Sequence, residues 1–482
     1  MTLLNGNAIL AKIRDKVITA NEFIKRAEYT IRPQYCKGNS GTEKKIILNS
    51  LVAEKLIAIE AEDSYPLLKE KFFVDFIQGK QEQLMRQMLF DEEGLSKVNL
   101  DSNEVRKMFS LSGRKYNINY FLIPNDTTFS YVTNSIGKGT SFDRIYKALT
   151  NSDSLPSREV EYFIAENETI HKAMYSDSLY KDQVIGPIKI SDSSAIVIKV
   201  NGWTEKIPIT DNDIRTRAED VKEKLSYEHA ASIYTSFVLN IMKGKKLEFY
   251  KSTFPALVQL ASKEYYFSIK EKENSFLDLS FNNSAGEIKS LGVEENIKFL
   301  YDKAVFTFDG KIWTVKDLEN ELKIHPLVFR NKRFSKDQFA SEFKLAIADL
   351  IRDKMLTGVA YNKKYNENEL IKRNTEMWKD ATVALYNKYE YLKSFNTTNV
   401  SWLEVIEKFL NPFIDSLQIK YSKDIEINTV LLNKIKLTST DLMVIQYNVP
   451  YPVYVPAFPF LTTDNKLDYG RKMDKETMTV SE

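Results

Sequence analysis

The sequence predicts an α+β fold, mainly helical. One helical module carries an α/β insert, and a second helical module follows without one. Three observations lead there. Apolar residues recur at helical spacing through most of the chain. Residues 115–204 break that rhythm with short strand runs. Two distant stretches repeat the same order of elements.

A chain of 482 residues is too long for one compact core. Its 43% hydrophobic and 28% charged residues are those of an ordinary globular protein. A net charge of +2, from 68 basic and 66 acidic residues, makes no electrostatic case for nucleic acid or acidic lipid. The lone Cys36 rules out an intrachain disulfide. No apolar run reaches the ~18 residues of a membrane span. The start "MTLLNGNAILAKI" lacks the basic flank and apolar core of a secretion signal. His171, His229 and His325 lie far apart, no cluster has metal-ligand spacing, and GxSxG, P-loop and GxGxxG motifs are missing. No cofactor or metal is expected.

The elements follow in order. "AILAKIRDKVIT" reads as a ribbon turning near Arg14-Asp15. Thr19 and Glu22 have the spacing of a capping box for the next helix. After a polar loop, "KKIILNSLVAEKLIAIEAE" is an amphipathic helix with Leu48, Val52, Leu56 and Ile59 on one stripe. Residues 64–110 read as mainly helical, with Phe72, Phe73, Phe76 and Leu84 buried. A long helix opens at Thr210–Asp213, and "KGKKLEFYK" is a solvated turn before a strand. Expected domains are 1–112, the first part of a helical module; 113–206, the α/β insert; 207–290, a helical return closing that module; 291–440, a second helical module; and 441–482, an extended tail.

The repeat rests on three ordered matches. "RDKVITANEF" (14–23) aligns with "DGKIWTVKDL" (309–318), placing Thr19 on Thr314. "SLVAEKLIAIEA" (50–61) aligns with "DLIRDKMLTGVA" (349–360), placing Glu54 on Asp353 and Lys55 on Lys354. "LNIMKGKKLEFY" (239–250) and "DSLQIKYSKDIEIN" (415–428) each close a copy with a helix end, a basic turn and a strand. Each closing strand is expected to return to the ribbon of its own copy.

This order of elements resembles the SurA/PpiD/PrsA group of extracytoplasmic parvulin-type foldases, in which a helical chaperone module carries a parvulin peptidyl-prolyl isomerase domain. "GKGTSFDRIYKAL", with Gly139, Phe142 and Ile145, resembles the parvulin glycine, phenylalanine and small helix. "VIGPIKISDSSAIVIKV" resembles the closing strand pair, with Gly186-Pro187 at its turn. The resemblance implies a SurA-N-like module, an inserted parvulin-like domain over 113–206 and a second SurA-N-like module.

The same resemblance implies that catalysis has been lost. Active parvulins carry a histidine in the first strand; in "NYFLI" Tyr120 takes its place. They carry another in the last strand; in "SAIVIKV" Ile196 stands there. The glycine-rich loop reads "SREVEYF", in which Ser157, Arg158 and Glu161 replace glycines while Tyr162 and Phe163 keep an aromatic pair. Ser152, Asp153 or Ser154 falls near the family's Cys/Asp position. Met174 keeps an apolar pocket residue, and His171 matches neither family histidine and reads as surface.

"VPYPVYVPAFPF" (449–460) interleaves four prolines with Tyr451, Tyr454, Phe458 and Phe460. It must be extended. It packs on its own module or docks on a partner. The expected function is a periplasmic, ATP-independent, non-catalytic chaperone whose partners are unfolded polypeptides, with Tyr120, Tyr162, Phe163 and Met174 lining the peptide site. The alternatives are an adaptor subunit of an envelope complex, or an isomerase that works through the Tyr120 hydroxyl.

Overall fold

The computed structural model describes residues 7–37, 40–61, 66–164, 166–191, 194–272, 287–288, 297–330, 334–397, 400–438 and 454–473. The fold is α+β and mostly helical. Ribbon β1 (Ile9–Ile13) and β2 (Lys16–Thr19) leads into α1 (Ala20–Glu28), α2 (Gly41–Ala61) and α3 (Lys71–Glu93). Then come α4 (Ser102–Leu111), β3 (Arg114–Ile123), α5 (Asp126–Gly137), α6 (Phe142–Thr150), β4 (Ser157–Glu161), α7 (Glu168–Tyr175), β5 (Val184–Ser191), β6 (Ser194–Glu205) and α8 (Asp211–Met242). Strand β7 (Leu247–Phe249), α9 (Phe254–Lys272) and the short β8 (Glu287–Ile288) precede a second ribbon, β9 (Ala304–Phe308) and β10 (Lys311–Thr314). Helix Val315–Ile324, β11 (Leu327–Val328), helices Phe339–Asn362, Glu369–Leu392 and Asn411–Lys420, and strands β12 (Ile425–Ile427) and β13 (Arg471–Lys472) follow.

The chain divides into two compact units. One holds Met1–Asp91, Ser236–Met443 and Tyr451–Glu482; the other holds Glu92–Thr235 with Val444–Pro450.

The first unit contains two ribbon cores. Around the N-terminal ribbon, α2 is buried on nearly every side, including Ile47, Leu51, Asn49, Ser50, Glu54 and Lys55. The single expected stripe widens because α1 packs on one side and helices Glu369–Leu392 and Asn411–Lys420 on the others. Its buried polar atoms are used. Arg26 donates two parallel hydrogen bonds to Glu54, at 2.8 and 2.7 Å. Lys55 meets Asp380 at 3.1 Å and Glu22 at 3.2 Å. Because Glu22 turns to Lys55, only half of the expected capping box is present: the Glu22 N–H donates to Thr19 Oγ1 at 3.1 Å. At the second ribbon Thr314 and Asp317 form the full reciprocal box. In α3, Phe73 and Leu84 are buried as expected, but Phe72 is 52% exposed and Phe76 half-buried.

The closing strands are exchanged. β1 pairs antiparallel with β12, Ala11 opposite Ile427, and β9 pairs with β7, Leu247 opposite Phe308. Accordingly, Ile414, Leu417, Ile425 and Ile427 join the N-terminal core. Phe254, Leu257, Ala261 and Tyr265 join Phe306, Phe339 and Phe343 around the second ribbon. The expected return over 207–290 therefore does not close the first module, and 291–440 is not a self-contained second one. "LEF" and "IEI" alternate apolar and charged residues alike, so either satisfies a ribbon edge by pattern. Burial of Ile425 and Ile427 beside β1 decides the pairing.

The tail runs without regular structure from Tyr454 to Asp468 and lies in the N-terminal core, where Phe458, Leu461 and Tyr469 are buried. A segment with no ladder needs other partners for its backbone. Asn49 Nδ2 donates to the carbonyls of Asp464 at 2.7 Å and Lys466 at 2.9 Å, and Arg26 donates to Ala457 at 3.0 Å.

The second unit is an antiparallel sheet in the order β4-β3-β6-β5. One face, with Phe121, Ile123 and Val197, packs on Val132, Phe142 and Ile145 of α5 and α6. The other, with Tyr116, Ile118, Ile196 and Ile198, packs on Leu111 of α4, Ile170 and Met174 of α7, and Val221 and Leu225 of α8. Gly186-Pro187, expected at the turn, sits inside β5 instead, where the register shifts between Ile185 and Ile188. Only a glycine suits that bulge: its φ is +111°, and a Cβ would stand 2.7 Å from the Ile196 carbonyl.

Candidate functional site

Alternation along β3 puts Tyr120 on the same sheet face as Ile118, and the register places it opposite Ile198, with Leu122 opposite Ile196. Tyr120 and Ile196 thus stand diagonally on neighbouring strands of one face. Ile196 is buried and offers no hydrogen-bonding side-chain atom. Tyr120 is half-buried under the Arg158 guanidinium, 5.3 Å above its ring. Asp153 is exposed and pairs with Lys147 at 2.9 Å. The "SREVE" stretch is strand β4, paired with β3.

The aromatic pair splits. Tyr162 is 2% exposed and Phe163 39% exposed, ring edge to face at 4.9 Å. Met174 is fully buried. In the tail, Phe458 is buried, Phe460 is packed against the same core, and Tyr454 stacks on Trp378 at 4.9 Å with Lys80 against both rings. Those side chains are engaged by their own unit rather than presented to a partner. Tyr451 lies outside the described residues.

Sequence reasoning misplaced His171. It is buried, not on the surface, among Tyr162 and Tyr175 with ring centroids 5.0 Å from each. Lys224 Nζ lies 2.5 Å from the Tyr162 carbonyl and 2.8 Å from His171 Nε2. His171 Nε2 itself lies 2.9 Å from the same Tyr162 carbonyl, so the ammonium, the imidazole and the carbonyl meet at one point. Burial, reinforced by Lys224, pushes His171 down to about 4, and burial pushes Lys224 down to about 8.

Beside these groups α4, α7 and α8 enclose an open cleft of about 520 Å³. Tyr162, His171 and Tyr175 line it with Met108 and Leu225, and Glu104 and Glu228 stand on its walls. Tyr175 Oη reaches the carbonyls of Arg114 at 2.9 Å and Val160 at 3.0 Å. Tyr162 Oη is buried and has no hydrogen-bond partner. Burial, then the charges of Glu228 and Glu104, raise its pKa. The sequence carried a trace of this cleft in the i, i+4 pairs His171/Tyr175 and Lys224/Glu228, each on one face of a helix. What joins the two helices is tertiary.

Among the described residues no group of three or more His, Cys, Asp or Glu is placed to hold a metal ion, and no helix is long and apolar enough to cross a membrane. No family model matches the chain, and no curated protein matches it. Among solved structures, the peptidylprolyl isomerase PrsA from Bacillus cereus is similar at 15% identity, over 47% of this chain and 87% of that one. The TM-score is 0.19, too low to equate the two folds.

Proposed function

We propose that this chain binds polypeptide segments as a foldase-like chaperone, without ATP and without catalysing X–Pro isomerisation. One observation carries the reading. The two positions that the parvulin resemblance makes histidines share a sheet face, and neither holds one: Ile196 is buried and apolar, and Tyr120 is half-buried under Arg158. Twisting a peptide bond costs ~18–20 kcal/mol, and an enzyme lowers that cost with hydrogen-bonding groups preset around the twisted amide. Ile196 supplies none. The reading also includes an extracytoplasmic location and takes the two ribbon-and-capped-helix segments as copies of one sequence motif. The adaptor alternative leaned on the aromatic tail as a docking arm, and burial of Phe458 in its own core removes that support.

The test has two arms. The chain, added at equal molarity and without ATP, should slow the light-scattering rise of a chemically unfolded client. A protease-coupled proline-peptide assay should return the uncatalysed rate. Undiminished aggregation sinks the chaperone reading. Acceleration of proline isomerisation that is lost in Tyr120→Phe sinks the non-catalytic one.

A further inference from the structure

The cleft enclosed by α4, α7 and α8 lies apart from positions 120 and 196 in the residues that form it, and the geometry points to a specific occupant: we propose that it binds a basic side chain, arginine or lysine, of a polypeptide. The proposal rests on the polypeptide-binding reading and adds a site and a chemical class to it.

Size comes first. About 520 Å³ is within the ordinary range of ligand clefts and admits one or two residues of an extended chain. Met108, Leu225 and Tyr175 offer apolar surface to the methylene stem that arginine and lysine share.

The polar end is set by Tyr162. Its hydroxyl is buried and lacks a partner, a state that costs free energy unless a ligand relieves it. The ring is not free to receive a cation on its face, because Lys224 Nζ already stands 4.5 Å from the centroid. The hydroxyl end is what remains, in the field of Glu228 and Glu104. Oη is closed to water, so an N–H donor reaches it only with a shift of the Tyr162 ring, after which Oη accepts one hydrogen bond.

Charge decides the sign of the ligand. Lys107 pairs with Asp177 at 2.7 Å, Lys172 with Glu168 at 2.6 Å, and Glu104 with His229 at 3.1 Å. Lys224 donates to the Tyr162 carbonyl and to His171, both neutral, and its charge also acts on Glu228. Glu228 has neither an ion pair nor a hydrogen bond among the described residues, and with Asp101 and Glu104 on the wall and Asp177 and Glu168 beside it the carboxylates outnumber Lys107, Lys172 and Lys224, so the excess charge is negative. A guanidinium or ammonium offsets it; a carboxylate would meet it head on.

The experiment is calorimetric titration of the full chain with four probes: Ac-Gly-Phe-Arg-Gly-NH2, its citrulline and glutamate counterparts, and free L-arginine. Citrulline keeps the shape of arginine and removes the charge. The arginine peptide should bind about tenfold tighter than the citrulline peptide, the worth of one charge-assisted hydrogen bond, and tighter than the glutamate peptide. Glu228→Gln should abolish most of that preference. Tyr162→Phe should weaken the arginine peptide several-fold, with an unchanged circular dichroism spectrum. Glu159→Gln, on β4 and paired with Lys115, should change nothing.

Equal binding of arginine and citrulline peptides overturns the proposal, as does a preference that survives Glu228→Gln, or no binding at all. Free arginine binding as tightly as the peptide would make the cleft a small-cation site and overturn its polypeptide part. Suppressed aggregation alongside a failed titration removes this site and leaves the chaperone reading standing. The reverse pair of outcomes removes that reading and leaves the site.

Discussion

The two ribbon-and-helix segments use the same local grammar and come out differently. In each, a hairpin delivers a threonine to the N-cap of a helix: Thr19 for α1 and Thr314 for Val315–Ile324. In each, an ion pair joins that capped helix to the next long one. At the N-terminal ribbon it is Arg26–Glu54, bidentate, with side chains 0% and 2% exposed. At the second it is Glu321–Lys354, at 2.5 Å, with the lysine 46% exposed. The acid and the base have changed helices, and water reaches only the second pair. The pattern of the capped helix is local. The worth of its ion pair depends on what else covers the seam, which around α2 includes helix Glu369–Leu392 and the tail carbonyl of Ala457.

Breaking each pair should expose that difference. Arg26→Ala leaves Glu54 charged and buried and should cost about 3–5 kcal/mol in denaturant unfolding. Lys354→Ala should cost less, about 1–3 kcal/mol, because Lys354 is 46% exposed while Glu321, 10% exposed, is left at the edge of water without its partner. Similar losses at the two sites would show that burial does not set the worth of the pairs.

Two glycines sharpen the contrast between helices. In α3, Gly79 lies against the end of helix Val315–Ile324, where a Cβ would stand 2.1 Å from the Ile324 carbonyl oxygen. Gly79→Ala should cost about 1–3 kcal/mol through overpacking. Gly358, in helix Phe339–Asn362, has nothing within 4 Å of an added Cβ. Gly358→Ala should therefore stabilise by about 0.5–1 kcal/mol. Thermal unfolding of both variants checks the opposite signs.

Acid should reach the two units in different windows. In the ribbon unit, burial alone would raise the Glu82 carboxyl, but hydrogen bonds led by His325 at 2.6 Å and Gln78 at 2.8 Å bring it from 4.5 to about 2. A depressed carboxyl stabilises above its unfolded value, so this contribution is lost as pH falls from 4.5 toward 2. In the α/β unit, His171 is held neutral, down from 6.5 to about 4. The unfolded chain takes up that proton first, so stability falls as pH drops from 6.5 toward 4. Stability measured against pH should lose the upper limb in His171→Gln and the lower limb in Glu82→Gln.

The caps give the smallest contrast. Thr19→Ala and Thr314→Ala should each cost about 0.5–2 kcal/mol. Thr314 should cost more, because its substitution breaks a reciprocal box, whereas Thr19 accepts a single hydrogen bond. Equal losses would mean that the returning Asp317 bonds contribute nothing.

Much of the molecule was legible in its residues. The ribbons, both caps, the long buried α2 and the change to strands after residue 113 all follow from short-range spacing, because turn chemistry, capping and amphipathic periodicity act within a few residues. That Tyr120 shares a face with Ile118 also follows, since alternation in a strand is local, but the register of β3 against β6 was needed to bring Ile196 onto that face. Tertiary structure alone decided which closing strand meets which ribbon, because "LEF" and "IEI" present the same alternation and β pairing is a contact between remote segments. It decided that the Pro-aromatic tail fills the N-terminal core, since extended aromatic chain needs a covering surface and nothing in the tail names one. It also decided that His171, Lys224 and Glu228 meet at a cleft: two helices each carried an i, i+4 pair, and only their packing turned four separate side chains into one site.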